Sequence, residues 1–384
     1  MVAAVRRGHS QHAVARQFGV SLATVQYWLD RARGQRLDRV DWSDHSHAPR
    51  APHRTDRAIE DLVLSLRREL AETSDLGACG AEAIHHALRG RGVQDIPSIR
   101  TIGRILERRG ALDRRRRVRR PPPPRGWYLP EVAARHVELD SFDIVEGLVI
   151  KDGPQVEVFN GVSLHGGLVA SWPMVAPVTA KAVVAALIEH WRAHGLPGYA
   201  QFDNDTIFQG THTHRDVIGR VMRLCLSLEV IPVFVPPREM GFQAMIESYN
   251  GQWQAKVWTR FTHGSLAELQ GRSGRYVAAV HRTRADRIEA ASPRRPFPER
   301  WRLNLQAHPR GQVVYLRRTD AAGSVEVLGH SFVVDPQWPN RLVRVEFDLT
   351  AGRMRLFALR RREPKAQPML KELDHHIPKR RFNE

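Results

Sequence analysis

The stretch YAQFDND, residues 199–205, is a short apolar run that ends in carboxylates, which is typical of a buried strand ending at a sheet edge. Two further stretches also combine apolar residues with a carboxylate: HVELD at residues 136–140 and GFQAMIESYN at residues 241–250. The first predicts another strand and the second predicts part of a long helix. We therefore expect their acids to meet at the carboxyl end of a parallel sheet.

Three carboxylates at one sheet edge suit the cutting and joining of phosphodiesters. Two Mg²⁺ ions roughly 3.5–4 Å apart can activate the attacking oxygen and stabilise the leaving one. Mg²⁺ needs few carboxylates and keeps positions open for water and substrate phosphate. A metal would also relieve the repulsion among three close carboxylates. The predicted metal ligands and catalytic residues are Asp140, Asp203 and Glu247.

The chain is strongly basic, with 384 residues and a net charge of +18. Such an excess predicts a polyanionic partner, with nucleic acid ahead of a membrane surface. Cys79 and Cys225 lie far apart in sequence, which excludes a disulfide framework and suits a reducing cytoplasm. No apolar run approaches the roughly 18 residues of a membrane span, and no signal-peptide pattern is present at the start.

The domain over 1–40 is predicted to contain a helix-turn-helix. Ser10 caps a first helix, QHAVARQF, and Ser21 caps a second, LATVQYWLDRAR. The predicted buried side comprises Phe18, Val20, Val25, Trp28 and Leu29. The exposed start of the second helix is the part that enters a major groove in this motif. The predicted DNA-binding residues here are Ser21, Thr24, Gln26 and Tyr27.

A second helical, helix-turn-helix-like module is predicted over 53–112. Its third helix follows Pro97. The predicted inner face comprises Ile99, Ile102, Ile105 and Leu106. The outward face, which suits backbone contact or groove reading, comprises Arg100, Thr101, Arg104 and Arg108.

The rest of the chain divides by composition into a multidomain α/β protein. Residues 113–126 are rich in Arg and Pro, which predicts an extended linker along DNA phosphates. Residues 127–295 alternate strands and helices, which predicts a catalytic core with a mixed sheet. Five short strands over 305–360 predict a small C-terminal β-barrel, and residues 361–384 predict a basic, loose tail.

These stretches, in this order and domain context, resemble a DDE-type insertion-sequence transposase with a retroviral-integrase-like catalytic core. HVELDSFD at 136–143 is similar to the first-aspartate strand of that core. FDND at 202–205 is similar to its second-aspartate motif, although Asp205 stands where the family usually has Gly. MIESYNGQWQAKV at 245–257 is similar to its glutamate helix, which carries a later lysine, here Lys256.

The resemblance implies an RNase H-like core that uses Mg²⁺ or Mn²⁺. Water would attack DNA at the element ends, and the freed 3′-hydroxyl would then attack target DNA. The family roles fall on Asp140, Asp203 and Glu247 as metal ligands and on Lys256 as a DNA contact. The implied partner is double-stranded DNA, bound by a homo-oligomer in the bacterial cytoplasm at the nucleoid. No small-molecule substrate and no membrane partner are expected.

Two alternatives remain open. DSFDI fits the first-aspartate pattern from Asp140, whereas DIVEG fits it from Asp143. The apolar strand leads straight into Asp140, which favours that residue. The second alternative is a captured or decayed transposase that acts only as a sequence-specific DNA-binding protein.

Overall fold

The computed structural model describes residues 1–43, 55–112, 126–211 and 214–379. The predicted linker over 113–126 therefore lies outside the described residues except at its last position. The chain forms two compact units that divide between Ile59 and Glu60. Among the described residues, no helix is both long and apolar enough to cross a membrane.

The N-terminal unit contains helices α1 (Val2–Arg6), α2 (Gln11–Phe18) and α3 (Leu22–Arg31). Both predicted caps are confirmed, because the Ser10 side chain accepts from the Ala13 amide and the Ser21 side chain accepts from the Thr24 amide. The helices enclose a small core of Ala4, Val14, Ala15 and Val25. The predicted burial of Phe18 is wrong: its side chain is 49% exposed, since this core is complete without it.

A helical module is formed by α4 (Arg57–Thr73), whose residues from Glu60 onwards belong to the second unit, together with α5 (Ala81–Gly90) and α6 (Ile99–Arg108). Its core includes Val63, Ile84 and Ile102. Ile99 was predicted to face inward but is 45% exposed, because it starts α6 directly after the Ser98 cap.

The core of the second unit is built on a mixed sheet, which confirms the predicted mixed α/β class. Its strands are β1 (Leu139–Val149), β2 (Gln155–Ser163), β3 (Val169–Val175), β4 (Tyr199–Phe202), β5 (Ile231–Phe234), β6 (Gln312–Arg318), β9 (Leu342–Asp348), β10 (Arg353–Ala358) and β11 (Met369–Asp374), with a separate hairpin of β7 (Ser324–Val327) and β8 (His330–Val333). In the described part of the chain, the sheet order is β11-β10-β9-β6-β5-β4-β1-β2-β3. The strands β1 to β3 form an antiparallel meander, and β4 and β5 run parallel to β1.

Helices cover both faces of this sheet. They are α7 (Pro130–Ala133), α8 (Ala180–His194), α9 (Thr206–Gln209), α10 (Arg220–Ser227), α11 (Ala244–Trp253), α12 (Leu266–Thr283) and α13 (Ala285–Glu289). The long helix predicted to include residues 241–250 starts later, as α11, and continues as a π-helical turn over Gln254–Trp258. Thr179 caps α8 by accepting from the Ala182 amide.

The C-terminal strands do not form the separate small barrel predicted over 305–360. Strand β6 pairs in parallel with β5, and β9, β10 and β11 extend the same sheet outward. The physical reason is that β5 offers an unpaired edge, and β6 satisfies its backbone groups. The predicted tail is also partly wrong, because β11 lies inside it as an edge strand.

Alternation along the strands gives the sheet two distinct apolar faces. The α8 face carries Phe142, Phe159 and Phe202, which pack with α8 and α10. The α11 face carries Val145 and Val158, which pack with α11 and α12. The face to which an acid points therefore decides which helix it meets.

Candidate active site

Asp140 and Asp143 lie on opposite faces of β1, because they are an odd number of residues apart on one strand. Asp140 shares the α8 face with Phe142. Asp143 pairs across the sheet with Asn160 and lies on the α11 face. The structure thus separates the two candidates that the sequence left open.

Asp140 lies in a closed ion pair on the α8 face. Its side chain is 1% exposed, and Arg294 donates to its two carboxylate oxygens at 2.8 and 2.6 Å. The indole of Trp191 donates to the same carboxylate at 3.3 Å, and His190 Nε2 lies 3.8 Å away. Burial alone would raise the pKa of Asp140, but the charge and hydrogen bonds of Arg294 hold it below its ordinary value. The predicted catalytic role for Asp140 therefore conflicts with its environment, since Arg294 occupies both oxygens.

Asp143 lies beside Asp203 across β1 and β4. The parallel pairing joins Leu139 to Tyr199 and Ser141 to Gln201, an offset of 60 residues. Two residues further along, the same offset leads from Asp143 to Asp203. Both side chains leave the sheet on the α11 face, at the carboxyl end of β4.

Glu247 approaches from above this face, on the first turn of α11. Three residues later, Asn250 donates to Asp143 Oδ2 at 2.7 Å and accepts from Asn160 Nδ2 at 2.9 Å. Residues three apart share one side of a helix, so the side of α11 that meets Asp143 also carries Glu247. Glu247 is exposed, whereas Asp143 and Asp203 are half-buried.

The electrostatics of Asp143 reflect this convergence of acids. Burial, followed by the charge of Asp203 and, more weakly, that of Glu247, raises the pKa of Asp143 to about 6. Burial also raises the pKa of Asp203, with the charge of Asp205 acting in the same direction. Such mutual repulsion is what a divalent cation relieves, and an all-carboxylate donor set suits Mg²⁺ or Mn²⁺.

Asp205, the departure from the family motif, has a local structural role. Its backbone amide donates to Asp203 Oδ1 at 3.0 Å. Its side chain caps α9 by accepting from the Ile207 amide at 2.7 Å. It therefore orients Asp203 and starts the helix that follows.

The predicted DNA-binding residues of the N-terminal unit line the start of α3. Ser21 and Thr24 share a hydrogen bond of 2.8 Å between their hydroxyls, which ties both to the helix cap. Gln26 and Tyr27 are exposed, Tyr27 by 48%. All four stay predicted DNA contacts.

In the helical module, Arg100 and Arg104 are exposed on α6 and Thr101 is half-buried beside the Ser98 cap. They also stay predicted DNA contacts. Arg108 faces outward as predicted and also forms an ion pair with Glu60.

Lys256 has a different position from the one predicted. Its ammonium donates to the Gly77 carbonyl at 3.0 Å, and Arg260 donates to the carbonyls of Ser74 and Ala71 at 2.6 Å each. These cations lie at the C-terminal end of α4, where they offset the negative end of the helix dipole. Lys256 thus holds the helical module against the core, and its predicted DNA contact conflicts with that engagement.

The sequence did not predict the roles of two residues, Asn250 and Arg294. Asn250 could have been found, because its position three residues after Glu247 places both residues on one side of the helix. Arg294, the partner of Asp140, comes from a segment 154 residues away and carries no local signal.

No protein-family model matches the chain, and no curated protein matches it at a significant level. Among solved structures, the chain is similar to the catalytic core domain of BIV integrase, with 16% identity, 38% of this chain and 82% of that chain covered, and a TM-score of 0.27. It is also similar to a chain of a simian T-cell lymphotropic virus intasome, with 14% identity, coverage of 71% and 87%, and a TM-score of 0.35. A third similar structure is the catalytic core domain of HTLV-2 integrase in complex with magnesium, with 14% identity, coverage of 37% and 83%, and a TM-score of 0.27.

Proposed function

We propose that the chain is a DDE-type transposase that binds double-stranded DNA at element ends and catalyses its cleavage and strand transfer with Mg²⁺ or Mn²⁺. The observation that carries the proposal is the convergence of Asp143, Asp203 and Glu247 on the α11 face, where β4 ends. Asp143 replaces Asp140 as the first acid, because Arg294 engages Asp140 on the opposite face.

Each element of the fold contributes one part of the site. Strands β1 and β4 hold Asp143 and Asp203 side by side, and α11 brings Glu247 over them. Asn250 orients the Asp143 carboxylate. These three carboxylates would hold the divalent ions. When bound, such ions activate the attacking oxygen and stabilise the leaving oxygen of a phosphodiester.

DNA binding would come from the exposed parts of the helical segments. The net charge of +18 favours DNA phosphates without regard to sequence. Sequence reading is proposed for Ser21, Thr24, Gln26 and Tyr27 on α3, and for Arg100, Thr101 and Arg104 on α6. With a single such cluster proposed among the described residues of each chain, joining two element ends would require a homo-oligomer on DNA.

The direct test uses the purified full-length protein and duplexes that carry the sequences flanking its reading frame. With Mg²⁺ or Mn²⁺, we expect nicking at the 3′ end of the element and a slower-migrating joined product on a denaturing gel. Asp203→Asn should remove both products. Asp152→Asn, at an exposed acid in the turn after β1, is the matched control and should keep them.

The same assay separates the alternative of a DNA-binding protein without chemistry. If the unaltered protein binds these duplexes but forms neither product with either metal, it acts only by binding. If it cleaves duplexes of any sequence without joining them, a nuclease is the better description.

A further inference from the structure

A second group of metal-ligating side chains lies away from the acids of the candidate active site. Asp216, in the loop before α10, meets His330 at the start of β8 and His375 just after β11. The Nε2 atoms of His330 and His375 lie 3.0 and 2.8 Å from the same oxygen, Asp216 Oδ1. The three ligating atoms all lie within 4.8 Å of one another.

The chemistry of this group differs from that of the active site. Two imidazole nitrogens and one carboxylate suit Zn²⁺ and related transition ions rather than Mg²⁺. Zn–N bonds of about 2.0–2.1 Å place tetrahedral ligands about 3.3 Å apart. The two nitrogen–oxygen separations, 3.0 and 2.8 Å, need only a small expansion to reach that value. A fourth position would be open to water, because His330 and His375 keep 24% and 15% of their side chains exposed.

The backbone around the group is arranged for this close approach. Asp216 adopts the left-handed region at φ 58°, and its amide donates to the Leu328 carbonyl at 2.9 Å. Gly329 lets the loop approach the hairpin, since a Cβ there would lie 3.2 Å from Arg215 Cγ. The His375 amide donates to the Gly352 carbonyl at 2.8 Å.

Aromatic rings close one side of the group. Phe332 and Phe347 lie 5.4 and 5.6 Å from the His375 ring, measured between centroids. The two imidazole rings are themselves 4.8 Å apart and inclined at 68°. Both imidazole Nε2 atoms face the same oxygen, Asp216 Oδ1.

The group joins three segments that are distant in sequence. The β7–β8 hairpin is a two-stranded sheet of its own, and Val325 and Val327 pack it against the core. Strand β11 is the edge of the main sheet. A bound ion would connect the hairpin, the segment after this edge strand and the loop before α10.

We propose that Asp216, His330 and His375 form a three-ligand site for a transition ion of the Zn²⁺ type, which links the β7–β8 hairpin, the segment after β11 and the loop before α10. The site does not depend on the strand-transfer proposal. Its ligands, its place in the fold and its preferred metal all differ from those of Asp143, Asp203 and Glu247.

The test titrates metal-stripped full-length protein with Zn²⁺ by calorimetry, in the presence of excess Mg²⁺, and with Co²⁺ by its visible absorption. We expect one Zn²⁺ per chain, a tetrahedral-type Co²⁺ spectrum and a higher midpoint of thermal unfolding. Slower amide exchange across β7 and β8 should accompany Zn²⁺ binding. Asp143→Asn should leave all these results unchanged.

His330→Gln and His375→Gln should each weaken Zn²⁺ binding by more than about tenfold. Mutating a residue that only hydrogen-bonds to a ligand already lowers metal affinity by about that factor. His308→Gln, at an exposed histidine outside the group, is the matched control. Asp216→Asn keeps the size of the side chain, so it tests Zn²⁺ binding even if a histidine variant fails to fold. Equal Zn²⁺ affinity in the unaltered protein and in Asp216→Asn, or no binding to the unaltered protein, would overturn the proposal and leave a hydrogen-bonded cluster.

Discussion

Arg294 and Asp140 form a bidentate ion pair on the α8 face of the sheet, with nitrogen–oxygen distances of 2.8 and 2.6 Å. Asp140 is the acid that the sequence favoured as the first catalytic residue, and Arg294 binds both of its carboxylate oxygens. Asp143, three residues on, has the opposite orientation and meets Asn250 instead. We therefore expect separable roles for the two acids, with Asp140 acting in stability and Asp143, as proposed, in chemistry.

Asp143→Asn should lower metal-dependent cleavage by more than about 100-fold. Mutating a residue that only hydrogen-bonds to a metal ligand already lowers activity by about 10–100-fold, and Asp143 is proposed as a ligand itself. Its midpoint of thermal unfolding without metal should stay level or rise, because a half-buried charge repelled by Asp203 is removed. Gel assays and thermal unfolding on the same preparation provide the check. Cleavage at the level of Asp152→Asn would show that Asp143 is not a ligand.

Asp140→Asn should lower the free energy of unfolding by about 3–5 kcal/mol, because it leaves the Arg294 charge buried without a partner. The double variant Asp140→Asn/Arg294→Gln removes both charges and should recover part of that loss. Urea unfolding measures both. The double variant should still cleave DNA per folded molecule, and a folded but inactive double variant would return Asp140 to the chemistry.

His190 predicts a pH dependence of stability. Burial, with the charge of Arg294 acting in the same direction and Asp140 opposing, lowers the pKa of His190 to about 3. The unfolded chain binds this proton near its ordinary pKa of about 6.5. The stabilisation is therefore fully present above about pH 6.5 and is lost as the pH falls towards 3. Urea unfolding at several pH values should show a shallower loss between pH 7 and 4 in His190→Gln, whereas His136→Gln, at an exposed site, should follow the unaltered protein.

Lys256 and Arg104 should differ in their effects on DNA affinity. Arg104→Met removes an exposed cation and should reduce the slope of log affinity against log salt by about one. Lys256→Met should leave that slope unchanged, because its ammonium binds the Gly77 carbonyl. It should instead speed amide exchange at the C-terminal end of α4. A reduced slope in Lys256→Met would restore the predicted DNA contact.

The local features of this chain could be predicted from its sequence. Ser10 and Ser21 cap helices as expected, because capping depends on one side chain and an amide three residues away. The signals that predict the strand ending at Asp203 and the helix carrying Glu247 also span only a few residues. The apolar periodicity was sufficient for the mixed α/β class.

Other features depended on partners that are distant in sequence. The choice between Asp140 and Asp143 required the face of β1, which is set by the register with β4 and by Arg294, 154 residues away. The C-terminal strands were recognised, but only the open edge of β5 decided that they extend the sheet. The charge of Lys256 was evident, but its engagement with α4 was not. The sequence by itself determined which elements form and which acids end them, because those signals span a few residues. Only the tertiary structure decided which acids meet, because that depends on long-range pairing.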